Sequence, residues 1–464
     1  METSVEQATA GPAIAPRPAA STMWEHFRRT VSLAVPVIIA RSGVLVLASV
    51  DTIMTGRYEA SGLAHLGLGM APTIFIMLLG LGMLLGTSIL TAQADGAGDY
   101  PACGRIWRVS MVHALVISIL AMALCQFGEA FLVAIGQDPG LAKGAGAVMR
   151  AFGWGMPAVM FGVTTTFFLE AIGRPVPGMI IMLIVNVANF ALNLVMIPGW
   201  GPIPALGAEG AMLATSAARW IGLIGFIGYV YLMPGAKRYA VRGAFEWRHP
   251  VGGKLRAIGY PLALAHGLET SAFVTMSMLA GYLGTQALAG YQVAINLLAL
   301  MFMSAIGVAT ACGVRVGNAV GRQDQDGIRK AGRVGLILVV LVMSGLGGVI
   351  VAWPSGLASI YSPDPAVVGL AAAALVVVGL FLPFDGVQVV AVQALRGLGD
   401  IWLPTFVQVA CFWGLSIPIG AYFAFVLDWG PAGLMGGFLV GVLASAVANS
   451  FRFEVVSNRP IARL

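Results

Sequence analysis

The stretch GRVGLILVVLVMSGLGGVIVAW, residues 332–353, decides the fold. Its 22 residues carry one charge, Arg333, near the start. As a helix rising 1.5 Å per residue it reaches about 33 Å, enough to cross the ~30 Å hydrocarbon core of a bilayer. It lacks the strict apolar–polar alternation of a barrel strand, and in lipid only helices and closed barrels satisfy their backbone. Eleven further runs of the same character lie at about 31–55, 66–94, 107–127, 148–171, 178–198, 210–232, 258–283, 288–317, 367–393, 403–426 and 430–451. Twelve spans predict an all-α polytopic membrane protein.

Composition agrees. Of 464 residues 58% are hydrophobic and 10% charged, with a mean hydropathy of +0.89. A water-soluble chain of this length cannot hide that much apolar surface. Cys103, Cys125, Cys312 and Cys411 show no paired spacing, which excludes a zinc ribbon or redox pair and leaves them as small buried hydrophobes. Residues 1–25 are Ala- and Pro-rich without a continuous apolar core, and are expected to form a disordered cytoplasmic tail in place of a signal peptide.

The basic residues set the orientation. Of the 26 Lys and Arg, 21 fall in segments on the side of the amino terminus and three (Arg57, Lys143, Arg150) on the other; Arg41 and Arg219 lie within spans. By the positive-inside rule both termini are expected in the cytoplasm, the chain being multi-pass in the inner membrane. The net charge of +6 then faces anionic lipid headgroups, and nucleic acid is not an expected partner.

A repeat divides the chain. At an offset of 225 residues Pro36 meets Pro261, Gly56 meets Gly281, Leu63-Ala64 meets Leu288-Ala289, Gly82 meets Gly307, Gly96 meets Gly321, Asp99 meets Asp324 and Arg108 meets Arg333. Gly207 and Gly210 answer Gly430 and Gly433 at an offset of 223. The expected organisation is a tail (1–25), a first six-helix bundle (26–233), a cytoplasmic linker (234–256), a second six-helix bundle (257–452) and a second tail (453–464). Parallel halves related by an axis along the membrane normal are a transporter architecture.

Charges within spans are expensive and therefore informative, about 2.5–3.5 kcal/mol each at helix centre on insertion scales. Asp51 (in LASVDTIM), Glu269 (in HGLETSAF) and Asp385 (in FLPFDGVQ) are such charges. A desolvated carboxylate can exchange H⁺ or Na⁺ for a cationic substrate. Under the offset Asp51 falls on Met276 and Glu269 on Val44, so the acids break the symmetry that the scaffold keeps. His266 shares a helix face with Glu269 and can pair with it. Arg41 is ten residues from Asp51, about 15 Å along the axis on another face, and cannot be its partner within the helix. Asn186, Asn189 and Asn193 form a polar cluster in span five, Asn189 and Asn193 projecting together; interhelical glue and a cavity lining are equally open to them. Pro36, Pro261 and Pro383 each free a backbone carbonyl and can serve as hinges or supply cation ligands. No G-x-x-x-x-G-K-[ST] phosphate loop or H-E-x-x-H motif occurs, so an ion gradient is the remaining drive, without a cofactor or enzymatic activity.

These residues resemble the multidrug and toxic compound extrusion (MATE) family, in particular its NorM branch. VDTIMTGR, GTSILTAQADGAGD, EAIGRPVP and NVANFALN look like its first half; ETSAF, GVRVGNAVGRQD and QALRGLGDIWLP look like its second. The resemblance covers nearly the whole chain after the tail. It implies two pseudo-symmetric six-helix bundles forming a V-shaped cavity, and alternating access that exports amphipathic, mostly cationic drugs in exchange for Na⁺ or H⁺. The first-bundle acid falls on Asp51 with Asn189 and Asn193 beside it. The second-bundle cation site, a candidate for Na⁺, falls on Glu269 and Asp385, a pair that favours NorM over the DinF-like branch. Arg41 is not recognisable as a family feature. A monomer is expected. The competing readings are a flippase of lipid-linked intermediates, which would want more Arg and Lys in its cavity, and an exporter of an endogenous metabolite. The major facilitator pattern is not met, because Asp99 is followed by Tyr100 and Pro101.

Overall fold

The computed structural model describes residues 22–201, 204–245, 249–460 and 462–464. The first half contains α1 (Met23–Tyr58), α2 (Ala60–Leu84), α3 (Gly86–Gly96), α4 (Tyr100–Gln126), α5 (Gly128–Ala134), α6 (Pro139–Gly153), α7 (Met156–Ala171), α8 (Val176–Met196) and α9 (Gly207–Leu232). The second contains α10 (Val251–Tyr282), α11 (Thr285–Arg322), α12 (Gln325–Ala352), α13 (Pro354–Ser359), α14 (Pro365–Gly397), α15 (Trp402–Val409), α16 (Ile417–Ala421) and α17 (Gly430–Ser457), with π-helical segments Ala410–Ser416 and Tyr422–Val426 on either side of α16.

Among the described residues ten helical runs are long and apolar enough to cross a membrane, and α6 with α7, bent by 44° at their junction, make an eleventh. The passage expected over 258–283 is α10, which at 32 residues is about 48 Å long. It falls short of the others in apolar character because His266, Glu269, Thr270, Ser271 and Thr275 interrupt it. The least lipid-like passage is therefore one that carries an acid.

Several expected boundaries move. Most of the amino-terminal tail, residues 1–21, lies outside the described residues. Its last residues are not a tail: α1 starts at Met23, with Thr22 Oγ1 accepting from the Glu25 amide at 3.2 Å. A polar oxygen on an otherwise unpaired helical N–H is what starts a helix there. The linker expected over 234–256 gives way to α10 from Val251, and α17 runs on to Ser457. Span two is divided at Leu85 into α2 and α3.

The halves meet through symmetry-related contacts. A Cβ on Gly82 of α2 would stand 2.6 Å from Ala263 Cα of α10, and one on Gly307 of α11 would strike Ile38 of α1. Each pair is the other shifted by 225 residues. Likewise Gly96 lies against Asn318, and Gly321 against Gln93. Hydrogen bonds reinforce this end: Gln93 Nε2 donates to Gly397 O at 3.0 Å and Asn318 Nδ2 to Ala92 O at 2.6 Å. The Leu464 amide, near the carboxyl end, donates to Gln93 Oε1 at 2.9 Å. At the opposite end Tyr58 and Tyr282 are exposed, and the Cβ position of Gly281 has nothing within 4 Å. The result is a V closed on the side of the termini. Phe27, Val31, Ala34 and Ile38 of α1 pack with the core of the second half, whereas Leu47, further along the same helix, belongs to a core of the first.

Candidate functional site

Two of the acids singled out in the sequence, Asp51 and Asp385, are buried within spans, one in each half. In the first, α1 supplies Asp51, α8 supplies Asn189 and Asn193, and α9 supplies Thr215; all four are at most 2% exposed. Asp51 Oδ1 accepts from Asn189 Nδ2 at 3.0 Å and from Asn193 Nδ2 at 2.7 Å, while Oδ2 accepts from the Thr215 hydroxyl. Asn189 Nδ2 also reaches Thr215 Oγ1 at 2.9 Å, and Asn193 Nδ2 reaches Asn189 Oδ1 at 3.2 Å. Asn189 and Asn193 meet one acid because residues four apart share a helix face. Asn186, the third of the sequence cluster, bonds back to Met182 O and takes no part. Thr215 carries no sequence signal beyond a polar residue in a span. One turn on, Arg219 brings its charge to bear on Asp51; its guanidinium stands 4.2 Å over the Phe152 ring, with Nη1 buried and without a hydrogen-bond partner.

In the second half, α10 supplies Glu269 and His266, α14 supplies Asp385, and α15 supplies Gln408. Gln408 Nε2 donates to Glu269 Oε2 at 3.1 Å. His266 Nδ1 is 3.9 Å from the same oxygen, an ion-pair separation longer than a hydrogen bond. Asp385 is 6% exposed and its charge acts on that of Glu269. Unlike Asp51, its Oδ2 is buried with no donor. Gln388 Oε1, one turn on from Asp385, Gln408 Oε1, and Thr405 Oγ1, one turn before Gln408, are buried without partners as well. Arg396, also on α14, is the nearby cation that the sequence reading did not single out; its charge acts on Glu269 and His266, and Nη1 donates to Gln393 Oε1 at 3.2 Å. Pro36, Pro261 and Pro383 all lie inside continuing helices, α1, α10 and α14, where each removes one helical hydrogen bond.

Arg41 finds a partner outside its own helix. Its Nη2 lies 3.3 and 3.4 Å from the two carboxylate oxygens of Glu170 on α7. Glu170 opens the EAIGRPVP motif, but an acid at the end of a span is ordinary and gave no signal of pairing.

The sequence pattern of the MatE family matches this chain twice, over residues 36–195 and 261–422. The chain is 33% identical over 458 residues to a probable multidrug resistance protein NorM of Caulobacter vibrioides, covering 97% of this chain and 94% of that one. It is 30% identical over 443 residues to the multidrug resistance protein MdtK of Pectobacterium atrosepticum, covering 94% and 97%. Its fold superimposes on the eukaryotic MATE transporter AtDTX14 with a TM-score of 0.84 at 18% identity, over 94% of this chain and 96% of that one. The doubled family match coincides with the 225-residue repeat, and full-length similarity to NorM proteins joins it to the V of two halves: the chain belongs to the MATE family of membrane transporters, on its NorM side.

Proposed function

We propose that this protein is a cation-coupled antiporter that exports amphipathic organic cations and drugs from the cytoplasm by alternating access, driven by Na⁺ or H⁺. The charge asymmetry of the loops supports placing both termini in the cytoplasm of a bacterium, with the protein in the inner membrane. The V then opens to the outside, the side from which a coupling ion enters.

One observation carries the proposal: the two acids differ in how their charge is met. Asp51 accepts hydrogen bonds from three protein donors. Asp385 Oδ2 has none. A buried anion without a donor costs several kcal/mol until a cation or proton joins it. Carboxylate oxygens such as those of Asp385 and Glu269 are hard ligands, which suits Na⁺, and a proton on either carboxylate would serve as well. A bound ion stabilises whichever state offers it the better site, and only that difference moves the equilibrium between open faces. Arriving from outside, the ion would compete with an organic cation for the same carboxylates and release it.

The flippase reading has less support, because Arg41 is paired with Glu170 and Arg219 acts on Asp51. The test is ethidium or norfloxacin transport by purified protein in liposomes under Na⁺ and H⁺ gradients imposed separately. Coupled export requires accumulation against a gradient under at least one of them. Flux that ignores both gradients would make this a channel, and no flux of either compound would remove drug export.

A further inference from the structure

The Arg41–Glu170 pair lies outside both carboxylate sites, yet its position is well defined. Ala34, Ile38 and Arg41 recur at intervals of four and three on one face of α1. The Cβ position of Gly307 on α11 is walled by Ala34 and Ile38, so this face looks towards the second half. Arg41 comes next along it, just beyond the contact, at the floor of the V. On α7, Ala171, which follows Glu170, packs with Ala92 and Val314 where the two halves join.

The chemistry at this floor is that of an organic-cation receptor. Glu170 and Phe167 are three apart on α7 and share a face. The Arg41 guanidinium carbon stands 5.7 Å from the centre of the Phe167 ring while Nη2 faces the carboxylate. A carboxylate beside an aromatic face is how proteins hold ammonium and amidinium groups. The seating is loose. A well-made arginine–carboxylate pair has two parallel bonds of about 2.7–2.9 Å. Here one nitrogen straddles both oxygens at 3.3 and 3.4 Å, and Nε is buried with no partner. Glu170 is 4% exposed, but the Arg41 side chain keeps 22% of its surface open and has room to leave.

We propose that Glu170 and Phe167 form an organic-cation subsite at the floor of the cleft, which the Arg41 guanidinium fills as a tethered surrogate until a cationic substrate displaces it. The proposal deepens the export reading by naming an anchor for the cargo, and it rests on that reading for the origin of the cation. A tethered competitor acts at an effective concentration in the millimolar range for a short linkage, so any free cation must outcompete it.

The test is equilibrium binding of benzamidinium, and separately of ethidium, to the purified full-length protein in detergent with no ion gradient. Arg41→Ala vacates the subsite and should bind benzamidinium about tenfold more tightly than wild type. Adding Glu170→Gln to it should abolish that gain. If Arg41→Ala does not fold, Arg41→Gln carries the same test, since its amide can donate to Glu170 without a charge. Equal affinity of wild type and the Arg41 variant would overturn the proposal, as would a gain that survives Glu170→Gln. Transport by the same proteins separates the two readings. Wild type that exports ethidium while the Arg41 variant gains no affinity would overturn the subsite alone. A Glu170-dependent gain in a protein that exports no organic cation would leave the subsite standing and remove drug export.

Discussion

Asp51 and Asp385 are both buried acids, but the atoms around them ask for different things. Thr215 gives Asp51 one of its three donors. Thr215→Ala should therefore destabilise the protein by about 1.5–3 kcal/mol, the worth of a hydrogen bond to a charged group. A thermal melt in detergent reads this, and Thr215→Ser should recover most of the loss. Asp385 is the reverse case. Because Oδ2 has no donor, a bound cation should stabilise the fold by about 2.7 kcal/mol at a hundred times its dissociation constant. If Na⁺ is that ion, NaCl should raise the melting temperature of wild type above that in an equal concentration of choline chloride, and Asp385→Asn should not respond. An equal response in the variant would move the ion elsewhere. The export proposal further expects Asp51→Asn, Glu269→Gln and Asp385→Asn each to abolish or strongly reduce efflux while folded protein remains in the membrane. Wild-type efflux by all three would remove the coupling scheme.

At the scale of elements, close approach between helices is the controlling feature. Gly82→Val would drive a side chain into the backbone of α10 at Ala263, so α2 and α10 would have to part. The expected readout is reduced disulfide formation between Ala92→Cys and Asn318→Cys, in a background lacking the four native cysteines, together with slower efflux. Unchanged cross-linking would mean that the helices yield locally. The helices were legible in the sequence because lipid as a solvent demands long apolar runs. Where the reading slipped, the cause was local. A capped helix start at Thr22 extends α1 before the apolar run begins, and polar residues dilute α10. The site was legible in part for the same physical reason. Asp51, Glu269 and Asp385 stood out because charge in a membrane is costly, and Asn189 with Asn193 because their spacing puts them on one face. Thr215 and Gln408 were not legible, since neutral polar residues are frequent in membrane helices and only packing shows which ones face a carboxylate. Glu170 and Arg396 were hidden at span ends, where charge carries little information.

For the whole molecule, the proposed orientation has both termini in the cytoplasm, so a fluorescent protein that matures only there should light up when fused after Leu464. A dark, intact fusion in the membrane would invert the topology and with it the direction of the V. The contacts that close the V have one more consequence. Gly82 with Ala263 and Gly307 with Ile38 form a reciprocal set, in which residue i of one half meets residue j of the other, and j of the first meets i of the second. That is an isologous interface, the kind that joins two identical subunits about a twofold axis, here folded into a single polypeptide. It does not depend on the peptide connecting the halves. Cut within the linker and expressed as two chains, the halves should find each other in the membrane and co-purify, and the substitution Gly82→Val should weaken that assembly.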